Sequence, residues 1–462
     1  MNKQILLWIF GISGFLPPFM GAAVNIALPA IGKNFNLDVI TLGWVATAFI
    51  LTAAVFLVPF GRLADIYGRK RIFLTGLTLF VIASVFCGLS TSGLMLISAR
   101  SLQGLASAMI FGTSMAILTA VFPPQQRGKA IGIITASVYL GSSLGPVLGG
   151  IITQQLGWHG IFWFSAFLAL MAFVMSIIFI KGEWPEAQAE SFDLLGSVIY
   201  AFASIFTLYG FTPLPHLHGY ACVGSGILLF VLFGLVENRR QYPVFKINLL
   251  LKNRVFAFSC LAAFINYNAT FGIAFLLSLY LQYAKGMEPA HAGLILLAQP
   301  VMMTVTSPFA GRLSDKIDPG RVASVGMGFV AVALFALTFL TPQTTLWQII
   351  LVLLLLGTGF GLFSSPNTNA IMGAVEKKSL GVASSILGTM RLFGQMISMG
   401  LIMLVLSVMV GKVNMSAHIV PQFMASARLL FLIFALLCTL GIFASLARHG
   451  YSEKKPEHRK KP

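Results

Sequence analysis

Charge is scarce in this sequence. Asp, Glu, Lys and Arg make up 9% of 462 residues, where a soluble domain carries about a quarter. Acids are scarcer still, 13 against 30 Lys and Arg, and each stands in a loop, at a helix end or in the C-terminal tail. The four cysteines, Cys87, Cys222, Cys260 and Cys438, fall inside apolar segments without ligand spacing. That excludes a disulfide framework and a cysteine metal site. The seven histidines, at 159, 216, 218, 291, 418, 449 and 458, are also terminal or in loops. With no paired carboxylate, histidine cluster or Ser/His/Asp set at one depth, a membrane-embedded enzyme has nothing to work with. Neither a filter loop nor a charged ring marks a channel.

Hydrophobic residues, at 57%, dominate instead. They fall in apolar stretches of 18 residues or more, the length a helix needs to cross a bilayer core. Such a backbone must satisfy its own hydrogen bonds, so the chain is read as an all-α membrane protein. Spans are predicted at 5–30, 42–61, 71–90, 94–121, 129–153, 159–180, 194–211, 219–236, 255–283, 289–310, 321–340, 346–373, 381–409 and 428–448. The N-terminal run continues through Pro29 without a small-residue cleavage site, and is read as the first span rather than a signal peptide.

The net charge of +17 invites a nucleic-acid reading, but its distribution argues against it. Lys and Arg gather in alternate loops, at 61–71, 127–129, 239–254, 312–321, 377–378 and the tail 448–461. The intervening loops hold only Lys33, Lys285, Lys412 and Arg428. By the positive-inside rule the basic loops, and with them both termini, face the cytoplasm. The expected partners are the lipid bilayer and a small-molecule substrate, with protons as a coupling ion, and not nucleic acid. The tail is expected to be disordered and drawn to anionic lipid.

A polar motif occurs twice. Gly61-Arg62-Leu63-Ala64-Asp65-Ile66-Tyr67-Gly68-Arg69-Lys70-Arg71 lies between two apolar runs, and Gly311-Arg312-Leu313-Ser314-Asp315-Lys316 repeats its core between two more. Repeated halves around a central path are a common transporter plan. The separation exceeds what six helices need, and the excess matches the spans 194–211 and 219–236. The organisation is therefore six helices (1–185), two inserted helices with a linker (186–245), six helices (246–448), and the tail 449–462.

These motifs resemble the major facilitator superfamily, and within it the fourteen-helix drug/proton antiporter branch. The 61–71 segment is similar to the family's motif between helices 2 and 3. Leu96 to Ala108, with Arg100, Gln103 and Gly104, resembles its helix-4 arginine motif. Gly141-Ser142-Ser143-Leu144-Gly145-Pro146-Val147-Leu148-Gly149-Gly150 resembles the helix-5 motif found chiefly in exporters. Val24 to Pro29, Trp44 to Thr47, Pro366-Asn367 and Arg391-Leu392-Phe393-Gly394 resemble signatures of the branch. The resemblance implies a monomeric secondary transporter of the cytoplasmic membrane, without metal or cofactor, exporting amphipathic compounds in exchange for protons.

It also implies roles. Gly61, Asp65, Gly68, Arg69, Gly311 and Asp315 would form a conformational latch; the alternative, a turn that only fixes topology, needs neither an Asp nor paired glycines. Gly141, Gly145 and Gly149, four apart on one face, allow close helix packing, and Pro146 adds a kink. Packing alone explains them; the resemblance makes them a hinge or seal. Asn25, Thr47, Arg100, Gln103, Tyr139, Asn266, Asn268, Gln299, Asn367, Asn369, Arg391 and Gln395 are polar residues within spans and candidates for the path.

One departure from the family stands out. Its helix-1 Asp, five residues before the signature Asn, is replaced here by Met20. A proton-coupled carrier of cations normally needs a carboxylate at membrane depth, and none is present. Two cations are, Arg100 and Arg391. They are either scaffold satisfied by carbonyls and glutamines, or the attraction for an anionic substrate group. Carriage of an organic anion, or a non-transporting relic of the fold, are the alternatives to drug efflux.

Overall fold

The computed structural model describes residues 3–183, 191–241, 245, 253–375, 380–414 and 418–448, without the side chains of 124–129 and 380–381. The expected tail 449–462, Glu186, Glu190, Glu376, Lys377 and Lys378 lie outside the described residues. The described chain is helical, and fourteen helical segments are long and apolar enough to cross a membrane.

The first bundle holds α1 (Lys3–Phe35), α2 (Val39–Tyr67), α3 (Arg69–Gly88), α4 (Gly93–Val121), α5 (Pro124–Leu156) and α6 (His159–Phe179). The inserted pair is α7 (Leu194–Phe211) and α8 (Leu217–Glu237). The second bundle holds α9 (Arg254–Thr270), α10 (Ile273–Leu279) with a π turn over Tyr280–Ala284, α11 (Pro289–Leu296), α12 (Ala298–Ser314), α13 (Pro319–Leu337), α14 (Leu346–Gly373), α15 (Leu380–Met409) and α16 (Val420–Leu446). α9 with α10, and α11 with α12, each make one span.

Several of the scarce acids begin helices. Asp38 accepts from the backbone N–H of Ile40 (2.9 Å) and Thr41 (3.0 Å). Asp193 caps α7 through Gly196 and Asp318 caps α13 through Arg321. A carboxylate there satisfies an orphan donor and complements the positive end of the helix dipole.

The duplication is visible in the packing. In the first bundle α1 packs on α5 and α6, α2 on α4, and α3 on α4 and α6. In the second, α9 packs on α15 and α16, α12 on α14, and α13 on α14 and α16. The bundles meet along two equivalent seams, α2 against α15 and α5 against α11. The inserted pair lies over the first seam, with α7 touching α2 and α15. The Tyr200 hydroxyl donates to the Ala54 carbonyl of α2 (3.1 Å), and its ring lies 5.8 Å from Phe393 of α15.

The structure corrects several boundaries. The charged motif is not a loop: α2 continues through Tyr67, α3 starts at Arg69, and only Gly68 intervenes. Likewise α12 carries Gly311 to Ser314 within the helix. The fall in hydropathy marks where side chains leave the bilayer, but nothing there obliges the backbone to unwind. The span read as 255–283 is interrupted at Phe271–Gly272, where the Gly272 N–H donates to Ser398 Oγ (3.1 Å). The last span starts at Val420, so Arg428 lies inside α16 rather than in a loop. Its Nε donates to the Leu340 carbonyl (2.7 Å), which makes the position tolerable. Pro146 sits inside α5, which runs unbroken to Leu156.

Candidate functional site

The charged motif is tied down within the first bundle. Asp65 accepts from Arg69 Nε (2.9 Å) and pairs with its NH2 (2.8 Å), and Arg69 NH1 reaches the Ala116 carbonyl of α4 (3.3 Å). Gly68 has φ +114°, a conformation that favours glycine, and a Cβ there would fall 2.6 Å from Glu183 Oε2. Glu183, just beyond α6, accepts from the Lys70 N–H (3.2 Å) and faces Arg71 (3.8 Å). Sequence reasoning missed Glu183 because 113 residues separate it from Lys70. A Cβ on Gly61 would meet nothing; its backbone instead faces Gly112 of α4, whose own Cβ would come within 3.3 Å of the Gly61 nitrogen. In the second copy, Asp315 is exposed, and a Cβ on Gly311 would lie 3.0 Å from Ser365 Oγ. Near that copy, burial pushes the pKa of Arg448 down to about 10, with Asp318 acting in the opposite sense.

The α5 glycines seat α1. A Cβ at Gly141 would strike the Phe15 carbonyl, at Gly145 Ala22 Cβ (2.6 Å), and at Gly149 Ala23 (2.6 Å). Just beyond, Gly150 faces the Pro289 carbonyl and Ala290 of α11, while Gly293 of α11 abuts the Pro146 carbonyl. One helix therefore presents glycines to its own bundle and to the other.

At that same end, opposite the basic loops, hydrogen bonds join the two bundles. Ser278 Oγ donates to the Asn25 carbonyl (2.7 Å) and Gln282 Nε2 to the Ile26 carbonyl (2.9 Å). Gln154 donates to Glu288 (2.6 Å). The Val39 N–H donates to the Val413 carbonyl (3.1 Å), and Asn414 Nδ2 to Asn36 Oδ1 (2.6 Å). None of Asn36, Asn414, Ser278 or Gln282 was singled out from sequence.

The polar path candidates separate into groups. Arg100 is 1% exposed and closed in by its neighbours. Its Nε donates to the Val45 carbonyl (3.1 Å), its NH1 to Gln103 Oε1 (2.6 Å), and its guanidinium lies 4.4 Å from the Phe49 ring centroid. Gln103 passes the chain on to Ser84 Oγ (2.8 Å). Thr47 Oγ1 turns back to the Gly43 carbonyl of its own helix. Asn367 Nδ2 ties α14 to the Ser259 carbonyl of α9 (3.1 Å), and Asn369 donates to Ser314 of α12 (2.8 Å). Thr47 apart, these residues hold helices together.

Arg391 is different. It is half-buried, its NH2 donates to Thr368 Oγ1 (3.2 Å), and its guanidinium lies 5.4 Å from the Tyr267 ring centroid. Its Nε is buried without a hydrogen-bond partner. Tyr267 is hydrogen-bonded by Ser364 and lies within electrostatic reach of Tyr139 on α5, across the junction. Beside it, Asn268 is buried with Oδ1 unpaired, and the Asn268 backbone nitrogen would lie 3.0 Å from a Cβ on Gly394, one turn from Arg391. Asn266, on another face of α9, is fully buried with both side-chain polar atoms unpaired. Gln299 and Gln395 are half-buried. Tyr267, Thr368 and Ser364 carry no signal in the sequence, since a tyrosine or hydroxyl in a span is ordinary helix packing.

Met20 occupies the position of the family's helix-1 Asp. It is fully buried, and Ser165 of α6 donates to its sulfur (2.6 Å). Among the described residues every acid stands at or near a helix end or in a connecting segment, and no group of three or more His, Cys, Asp or Glu could hold a metal.

A family profile described as Major Facilitator Superfamily matches residues 10–399 and 259–462. The chain is 31% identical over 390 residues to the riboflavin transporter RibZ of Clostridioides difficile, covering 84% of this chain and 85% of that one. It is 30% identical over 407 residues to the multidrug resistance protein Stp of Mycobacterium tuberculosis, covering 86% and 75%. It is 28% identical over 368 residues to the tetracenomycin C resistance and export protein of Streptomyces glaucescens, covering 79% and 68%. Among solved structures, the POT family transporter PepTSo superposes with a TM-score of 0.70 at 15% identity, covering 97% of this chain and 98% of that one.

Proposed function

The chain belongs to the major facilitator superfamily, and on that premise we propose that it is a secondary exporter of small amphipathic organic compounds, driven by proton exchange. It works in the cytoplasmic membrane with the basic loops and both termini inside, as the charge asymmetry supports.

The observation that carries the reading is the double use of α5. Its glycines receive α1 from the same bundle and α11 from the other, at the end where hydrogen bonds join the bundles. A helix packed this closely on both sides moves as a rigid element, so separation of α5 from α11 opens the outer end. The Asp65–Arg69 pair and Glu183 brace the opposite end of the first bundle, so that bundle moves as one body. Relatives named for multidrug resistance and for tetracenomycin C export support the direction of transport.

The test is substrate-triggered proton movement in everted vesicles holding a pH gradient, with lipophilic cations and organic anions offered in turn. Collapse of the gradient by at least one class, absent from vesicles without the protein, is the expected result. Accumulation of substrate with no proton movement would leave transport standing and remove the coupling. Silence to every compound, with folded protein present, would overturn the reading.

A further inference from the structure

We propose that Arg391, with the Tyr267 ring beneath it and Thr368 bonded to it, is a subsite for an acidic or carbonyl oxygen on a planar organic substrate. The inference rests on the exporter reading above and names the substrate chemistry of its path.

The contrast between the two interior arginines carries the argument. Both stand well inside helices, Arg391 eleven residues beyond the start of α15, or about 16 Å at the usual helical rise. Arg100 has a carbonyl, a glutamine and an aromatic face around it, and almost no accessible surface. Arg391 has one hydroxyl and one ring, an unbonded Nε, and surface left open. A guanidinium offers five N–H donors in a planar fork. Leaving it unpaired at membrane depth is costly, so such a residue marks a ligand rather than a brace.

The surroundings select the ligand. No acid among the described residues reaches the middle of a span, so none of them serves Arg391 as a counter-ion. A cationic compound entering here would meet like charge with no carboxylate to offset it, whereas a carboxylate, phenolate or carbonyl oxygen would complete the fork. Tyr267 supplies a flat face, and its ring is fixed edge-on against Phe360 at 5.3 Å and 87°. Tyr139, on α5 of the other bundle, lies within electrostatic reach of Tyr267, which sets the site beside the junction of the bundles.

Fluorescein and rhodamine 123 share a xanthene ring and carry opposite charge, which makes them a matched pair of probes. Binding of each to the full chain in nanodiscs is read by fluorescence anisotropy, for wild type, Arg391→Gln and Arg391→Lys. Fluorescein is expected to bind wild type, to weaken at least about tenfold in Arg391→Gln, and to be partly restored in Arg391→Lys. Rhodamine 123 binding, if it occurs, should not weaken in either variant, and wild-type elution on size exclusion confirms that both fold. Unchanged fluorescein affinity in Arg391→Gln overturns the subsite. Binding and vesicle uptake of rhodamine 123 alone overturn the subsite while leaving the exporter intact. Failure of both probes to bind or move overturns the subsite and the exporter reading together.

Discussion

Arg100 and Arg391 are the same residue type, each within a span, yet opposite responses are expected when each is neutralised. Arg100→Gln takes a donor from the Val45 carbonyl and leaves buried Gln103 Oε1 without its partner. Leaving such a buried group unsatisfied is expected to lower stability by about 1–3 kcal/mol. Arg391→Gln removes a cation with one hydroxyl partner, so stability should stay level or rise. Thermal unfolding of the two variants in one detergent checks the pair, and equal losses would contradict the assignment. Asp65→Asn leaves buried Arg69 with its link to the Ala116 carbonyl but without its carboxylate. A loss of about 1–3 kcal/mol is expected, together with loss of transport while membrane insertion is preserved; wild-type transport rates would sink the latch. At this scale the sequence was legible for polar residues within spans and silent on their company. Arg391, Thr368 and Tyr267 come from three helices, and no local pattern joins them.

At the scale of helices, small residues decide where backbones meet. Gly145→Leu would drive a side chain into Ala22 and the Phe19 carbonyl of α1, an overpacking that costs about 1–3 kcal/mol. Gly132 on the same helix has nothing within 4 Å of its Cβ position, so Gly132→Leu should be silent. Transport and thermal stability of the two variants side by side separate packing from a general dislike of leucine in α5. The inserted pair gives a further test. Tyr200 of α7 donates to the Ala54 carbonyl of one bundle and packs on Phe393 of the other. Tyr200→Phe is expected to weaken this clasp by about 0.6–1 kcal/mol, read as a lower melting temperature with substrate binding intact. The order of the spans was legible because hydropathy reports the bilayer directly. The break at Phe271–Gly272 was not, because the Gly272 N–H leaves the helix for Ser398, 126 residues away.

For the whole molecule, the repeated Gly61 and Gly311 motifs foretold two halves, and the packing repeats pair by pair between them. Where the halves touch was hidden in the sequence. The junction opposite the basic loops uses backbone carbonyls and short polar loops, such as Asn36 and Asn414, that carry no motif. If transport proceeds by alternating access, this junction must part in every cycle. The most direct measurement therefore joins it covalently. With Asn36→Cys and Asn414→Cys cross-linked by oxidation, transport should stop, and reductant should restore it. Each single cysteine should remain active under the same oxidant. Transport at the wild-type rate through a fully cross-linked protein would contradict the account.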